Sequence, residues 1–357
     1  MKRIVFICLL AIMSTLSWAQ SVSLNKDEIR KLKSLIKKDP EVQKQFFSFE
    51  KTAQKYLDEA PNPIDMIRSE GLLKGDPLKE RTNQSIPDFN KMKILALQYK
   101  INNETKYLDK ATEFLTAWAR INISRGDPID DTKLDAAFEA FDLIKDDMSS
   151  ANHDLITKWL TQTADAEINS NFFRKNTAKN NWNAHRLKIV GTIGILLNKK
   201  EFIVWSIENL KKHIAINLYA DGTSFDFKER DAMHYHIYDL EPMLRLIKVL
   251  KRANYENLYA YQSPFGSSIK KSVDWMLPYM KGEKQHEEYV NTTVKFDRER
   301  AKNNEIGFAK GTMFKPEMAL PVFKLALYFD SSLKNILANI NPPEKNWQMV
   351  LDEITNS

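Results

Sequence analysis

Residues 25–56 read NKDEIRKLKSLIKKDPEVQKQFFSFEKTAQKY. Asn25 and Glu28 have the spacing of a capping box, in which each side chain satisfies a backbone N–H at a helix start. Ile29, Leu32, Leu35 and Ile36 then recur at helical spacing. A second stripe, Val42, Phe46, Phe49, Ala53 and Tyr56, steps by four, three, four and three residues. Two amphipathic helices in succession predict a helical hairpin.

Outward from this hairpin the same periodicity returns at 92–99, 107–120 (Ala111, Phe114 and Trp118 on one face), 134–144, 155–160, 187–197, 202–214, 243–250, 269–276 and 318–328. No strand alternation interrupts the series. About a dozen helices, paired into hairpins, predict an all-α chain folded as an α-solenoid or an α/α toroid. Only 10 glycines and as many as 19 phenylalanines suit a helical chain with a large core. No linker or low-complexity tract divides it, so one domain is expected. Three segments break the pattern. The first, 60–89, holds Pro61, Pro63, Gly75-Asp76-Pro77 and Pro87 and is long enough to be a functional loop or lid. The second, 122–132, contains Arg125-Gly126-Asp127-Pro128. The third, 221–230, opens on the turn-forming pair Asp221-Gly222.

The first 19 residues have the layout of a secretory signal peptide: basic Lys2-Arg3, an apolar run at 4–13, and small residues around Ser17-Trp18-Ala19 before Gln20. The apolar run is too short to span a bilayer and no later stretch is long enough, so no membrane insertion is expected after its removal. A periplasmic or secreted location follows. The single cysteine, Cys8, lies in this leader and follows Ile7, where a lipoprotein needs a small residue. The mature chain then has no thiol for disulfides, nucleophilic catalysis or metal binding. Lys and Arg number 53 against 47 Asp and Glu, a net +6 that suits an anionic partner. The charges are spread out, without the dense basic block of a nucleic-acid binder.

Histidines are few, six in all, yet three fall in two compact polar motifs. One is Asn180-Asn181-Trp182-Asn183-Ala184-His185-Arg186, where Asn181 and His185, four apart, share a helix face. The other is Arg230-Asp231-Ala232-Met233-His234-Tyr235-His236, running on through Tyr238, Asp239 and Glu241 into the apolar helix at 243–250. With Asp231 as the first residue of that helix, Tyr235 and Asp239 share a face and His234 points elsewhere. The three residues His234-Tyr235-His236 cannot all face one way, so at least one histidine there is structural. His153 and His213, standing alone, read as structural too.

Other chemistries fit less well. His-x-His with Asp239 or Glu241, and His286-Glu287-Glu288, supply metal-ligand types at spacings that match no tight pattern. No metal and no cofactor is therefore expected. There is no phosphate-cradling glycine loop and no Gly-x-Ser-x-Gly elbow. A glycoside hydrolase would need two spaced carboxylates, with Asp142, Asp226, Glu229, Asp239 and Glu241 as candidates. A non-catalytic carbohydrate-binding toroid would keep the fold without the chemistry.

The pairing of Asn-Asn-Trp-Asn-Ala-His (180–185) with His-Tyr-His-x-x-x-Leu-Glu-Pro (234–242) resembles the alginate lyase superfamily of α/α-toroid polysaccharide lyases. Tyr107-Leu-Asp-Lys-Ala, Phe114-Leu-Thr-Ala-Trp118-Ala, Gly126-Asp-Pro-Ile129 and Phe141-Asp-Leu-Ile144 resemble its N-terminal half, and 286–300 a later segment. The resemblance implies a single-domain incomplete α/α toroid of about six or seven hairpins over 20–357. It also implies β-elimination on a β-1,4-linked uronan, poly-mannuronate (alginate) or glucuronan, leaving a 4,5-unsaturated uronate at the non-reducing end. Asn181 and His185 fall at the family's carboxylate-neutralising Asn and neighbouring His, Tyr235 at its catalytic tyrosine, and Arg230 near its arginine. Trp182, His234, His286 and Arg298 are the expected outer substrate contacts. Better-known members place the histidine directly after the asparagine, where this chain has Trp182. Whether His185 polarises the carboxylate, acts as base or orients Tyr235 stays open. A tyrosine is protonated at neutral pH, so Tyr235 as base calls for a cationic neighbour, Arg230 or a protonated His185, to lower its pKa.

Overall fold

In the computed structural model, which describes residues 21–174, 176–340 and 346–356, the opening hairpin is formed by helices Lys26–Lys38 and Pro40–Tyr56. Both bonds of the Asn25–Glu28 capping box are made, and Val42, Phe46, Phe49 and Ala53 are buried. The leader-like residues 1–19, with Cys8, lie outside the described residues.

Seventeen α-helices follow one another among the described residues, with a single pair of two-residue antiparallel strands, Glu287–Glu288 and Thr312–Met313. That small ladder was not foreseen, because two residues are too few to show alternation. Several helices end on asparagine in the left-handed region, Asn103 at φ 61°, Asn198 at 54° and Asn254 at 63°. A glycine-poor chain thus uses the next most permissive residue for its reversals. The three irregular segments contain more helix than expected. Pro77 and Pro87 begin helices Pro77–Ser85 and Pro87–Asn102, where a missing N–H costs nothing. Short helices Pro128–Asp131 and Phe225–Arg230 are capped by Asp127 and Ser224. Asp231 does not start the next helix. It ends Phe225–Arg230 with φ 48°, and the helix carrying Tyr235 runs Met233–Arg252.

The helices form two hydrophobic cores. One is built from the helices up to Ile168 and includes Val350, Leu351 and Ile354 of the last helix, Trp347–Thr355. The other is built from residues between Ala184 and Ile340. Helix Asn181–Leu196 belongs to both, giving Ile189, Val190, Ile193 and Leu196 to the first and Ala184, Leu187 and Ile195 to the second. Every residue of it except Trp182 is buried. The last helix packs on the first two, with Trp347 stacked 4.9 Å from Phe49, so the end of the helical array meets its beginning. Ser21 and Ser23 add a strap: the Asp142 carboxylate accepts from both hydroxyls, and Arg252 donates to both carbonyls while pairing with Glu28. No helix among the described residues is long and apolar enough to cross a membrane.

Close approach to the central helix is made by glycine. A Cβ on Gly191 would lie 2.4 Å from Leu246 Cδ1 and 3.1 Å from Ser206 Oγ, and one on Gly194 would lie 3.0 Å from the Ile203 backbone nitrogen. Gly191→Val is expected to destabilise the protein by roughly 1–3 kcal/mol through overpacking. Urea denaturation measures this, and an unchanged midpoint would mean the three helices do not meet so closely.

Candidate active site

The first two residues of the central helix, Asn181 and Trp182, line a pocket of about 300 Å³. Asn180 caps the helix through its side chain. Asn181 is held from behind, its backbone N–H and its Nδ2 both donating to Asp226, which also accepts from Asn217 at 3.1 Å. Burial, with Asp239 nearby, pushes the Asp226 carboxyl up to about 7. Trp182 lines the pocket, 6.1 Å from the Phe172 ring.

Helix Met233–Arg252 supplies the opposite wall. Its N-cap, Ala232, has no capping side chain. Instead the N–H groups of Met233 and His234 donate to the two oxygens of Glu288, each at 3.1 Å. This buried carboxylate, pushed up to about 7 by burial, comes from the small strand pair. The strand segment is fastened again where the Tyr289 N–H donates to the Asp231 carbonyl at 2.7 Å and Asn291 donates to its carboxylate. Both Asp231 and Tyr289 (φ 62°) are in the left-handed region, backbone conformations kept by this mutual fastening.

Tyr235 lies at the centre of the pocket. Arg300 Nη1 donates to its hydroxyl at 2.9 Å, Asp297 Oδ1 is 3.5 Å from the same oxygen, and the Arg230 guanidinium sits 3.8 Å from the ring centroid. Arg230 is itself paired with Asp297. The expected cationic neighbours are present, yet burial outweighs them and pushes the Tyr235 pKa up to about 12. Arg230 and Arg300 limit the rise; the substrate-free phenol is not the acidified group that sequence reasoning called for. His234 also lines the pocket, and burial together with Arg300 and Arg230 pushes its pKa down to about 4.

Of the other residues singled out, His236 is structural, its ring nitrogens meeting Ser224 Oγ at 2.9 Å and the Ser272 carbonyl at 3.2 Å. His213 is buried beside Asn183 and Asp239. His286 contacts the Asp231 carbonyl at 3.2 Å, and Arg298 donates to the Thr292 carbonyl; neither lines the pocket. His185 lies behind Tyr238, 4.5 Å ring to ring, and Tyr238 rather than His185 faces the cavity. Burial and the nearby Lys188 and Lys133 hold its pKa well below the usual histidine value, so it is not the protonated neighbour of Tyr235 that was expected. None of the five hydrolase carboxylate candidates lines the pocket.

Sequence reasoning missed Arg300, Lys133, Lys79, Glu70 and Tyr238, all of which line it. The signal for Arg300 was available: on helix Lys295–Lys302 it is four residues from Phe296, over whose ring it lies at 4.3 Å, whereas Arg298 falls on another face. Glu70 is brought in by Asp130, which accepts from the Ser69 N–H and hydroxyl and the Glu70 N–H at 2.8–3.0 Å. The same loop reaches the opposite wall, the Lys74 N–H donating to Glu305 at 2.8 Å. Among the described residues no group of three His, Cys, Asp or Glu side chains is placed to hold a metal ion. A larger cavity of about 510 Å³, lined by Lys188, Lys248 and Arg252, lies apart from Tyr235.

A cationic pocket around a tyrosine, set in a curved array of helical hairpins, is the architecture of the α/α-toroid polysaccharide lyases. The sequence model of the family described as alginate lyase matches residues 33–286, most of the chain, and the chain belongs to that family. It is a polysaccharide lyase. Its fold is similar to the crystal structure of an alginate lyase from Bacteroides ovatus, with a TM-score of 0.70 at 15% identity over 94% of this chain and 99% of that one. It is also similar to alginate lyase A1-III from Sphingomonas species A1, with a TM-score of 0.55 at 17% identity over 74% and 79%. A variant of that enzyme complexed with a tetrasaccharide gives 0.57 at 16% identity over 74% and 78%. No curated protein sequence matches this chain.

Glu288→Ala uncaps the helix that carries Tyr235 and is expected to cost about 1–2 kcal/mol. Glu288→Gln, which keeps one acceptor, should cost less. Chemical denaturation of the two variants measures the difference, and equal stability of Glu288→Ala and wild type would refute the capping role.

Proposed function

We propose that this chain cleaves a β-1,4-linked uronan of the mannuronate or glucuronate type by β-elimination, in the periplasm or after secretion. The observation that carries the reading is the setting of Tyr235. Tyr235 lines a pocket whose described lining holds four cations, Lys79, Lys133, Arg230 and Arg300, against one carboxylate, Glu70, and its hydroxyl accepts from Arg300. Such a pocket attracts a polyanion and disfavours a neutral glycan. The proton on carbon 5 is hardly acidic beside an ionised carboxylate, so donors on that carboxylate are needed to stabilise the enolate-like intermediate. Arg230, Arg300 and the Asn181 amide are the donors at hand.

The Tyr235 phenolate takes the carbon-5 proton, and the resulting phenol returns it to the glycosidic oxygen as the bond to carbon 4 breaks. One group can do both only when hydrogen and leaving oxygen lie on the same side of the ring, as in mannuronate and glucuronate. Guluronate places them on opposite sides and needs a second group. His185 is behind Tyr238, and His234, with its pKa near 4, is a weak acceptor. This arrangement favours the same-side substrates. The half-buried Trp182 at the pocket suits stacking on a sugar ring.

Incubation with poly-mannuronate, poly-guluronate, glucuronan and hyaluronan, with mass analysis of the products, is expected to give unsaturated oligosaccharides from the first or third. Folded protein that yields none from any uronan would overturn the proposal. Tyr235→Phe should lower kcat by about 10²–10⁴-fold while oligosaccharide binding persists.

Because the phenol pKa is pushed up to about 12, the ionised fraction grows about tenfold per pH unit below that value. The logarithm of kcat/KM should accordingly climb with pH across the range where the fold is intact. A flat or falling profile would exclude a Tyr235 phenolate as base.

A further inference from the structure

His185 and Lys188 are three residues apart on helix Asn181–Leu196, so their side chains leave neighbouring positions on one face. Both meet the same hydroxyl. Lys188 Nζ is 2.6 Å from Thr132 Oγ1, and Thr132 Oγ1 is 3.0 Å from His185 Nδ1. Lys188 also pairs with the Asp135 carboxylate; Lys188 and His185 are buried and Thr132 is half-buried.

Matching donors to acceptors favours one arrangement. An ammonium has hydrogens to give and no lone pair, so Thr132 accepts from Lys188. A threonine hydroxyl has one hydrogen and two lone pairs; with Lys188 donating to the oxygen, His185 Nδ1 is the one acceptor within reach of that hydrogen among the described residues. The arrangement that uses this hydrogen leaves His185 Nδ1 as the nitrogen with the lone pair. In a neutral imidazole the proton then sits on Nε2, because the bond made by one ring nitrogen decides the state of the other.

We propose that Lys188 is a positioning residue that, through Thr132, holds His185 in its Nε2–H tautomer, making His185 a hydrogen-bond donor and not a base. Of the three roles open to this histidine, proton abstraction needs a free ring lone pair facing the reaction, and the only lone pair is engaged by Thr132. The catalytic consequence rests on the lyase reading above; the tautomer does not. Lys188 also lines the larger cavity, so the hydrogen-bond chain connects that cavity to the back of the active site.

The test is nitrogen NMR of the full chain labelled at histidine, with the His185 signals identified by their loss in His185→Gln. Wild type is expected to show His185 as the Nε2–H tautomer. Lys188→Met and Thr132→Val should each move those signals toward a mixture of tautomers, while the signals of buried His213 and His236 stay in place as the control for folding. Thr132→Ser, which keeps the hydroxyl, should restore the wild-type pattern. On the preferred uronan, Lys188→Met and Thr132→Val should lower kcat by about 10–100-fold with little change in KM, and Thr132→Ser should not. A wild-type Nδ1–H signal, or His185 signals unmoved in both variants, overturns the proposal. If no uronan is cleaved, the lyase reading fails while the NMR comparison still decides the tautomer.

Discussion

Everything in this protein is arranged around one helix that has no outer face. Asn181–Leu196 is buried along all but one residue, so it cannot be amphipathic in the ordinary sense. Its apolar C-terminal half is shared between two cores, and its polar N-terminal half must find partners for every side chain it takes out of water. Asn181 meets Asp226, Asn183 meets His213, His185 meets Thr132, Arg186 meets Glu167 and Lys188 meets Asp135. The partners come from four neighbouring segments. Satisfying this one helix therefore fixes the mutual placement of the elements around it, and the two glycines on its far half let those elements come close enough to do so.

The active site inherits its electrostatics from the same burial. Taking Tyr235 out of water raises its pKa more than two flanking arginines lower it. Asp297, which pairs with Arg230 and approaches the phenol, further weakens the arginines' effect. The free pocket thus stores a protonated phenol and surplus positive charge. The histidines follow the same rule in the opposite direction: His185, His213, His234 and His236 are all held neutral by burial, which makes them orienting groups and hydrogen-bond partners before they are proton carriers.

The walls of the pocket come from segments far apart in the chain. Glu70 is held in place by Asp130, the Tyr235 helix is capped by Glu288, and Arg300 reaches the phenol from a helix 65 residues further on. None of these bonds is local; each joins segments far apart in the chain. The scaffold supplies precision and the connecting segments supply charge, the division common in enzymes built on repeated helices.

The helices and their pairing were legible in the sequence, because a 3.6-residue apolar period and a capping box are local signals. Asn181, Tyr235 and Arg230 were legible as a polar group because they stand in compact motifs, and the structure brings them into one pocket. The prolines at 77 and 87 misled, since a proline that breaks a helix and one that starts it look alike without the cap geometry. Arg300 could have been separated from Arg298 by its spacing from Phe296, but Glu288 carried no sign that it caps a helix more than fifty residues before it. By itself the sequence determined the all-helical class, the family resemblance and the compact polar motifs that carry Asn181, Arg230 and Tyr235. Only the tertiary structure decided which charge meets the phenol, that burial raises rather than lowers its pKa, and that His185 stands behind Tyr238. The physical reason is that periodicity and capping act between neighbours in the chain, whereas desolvation and Coulomb interactions depend on neighbours in space.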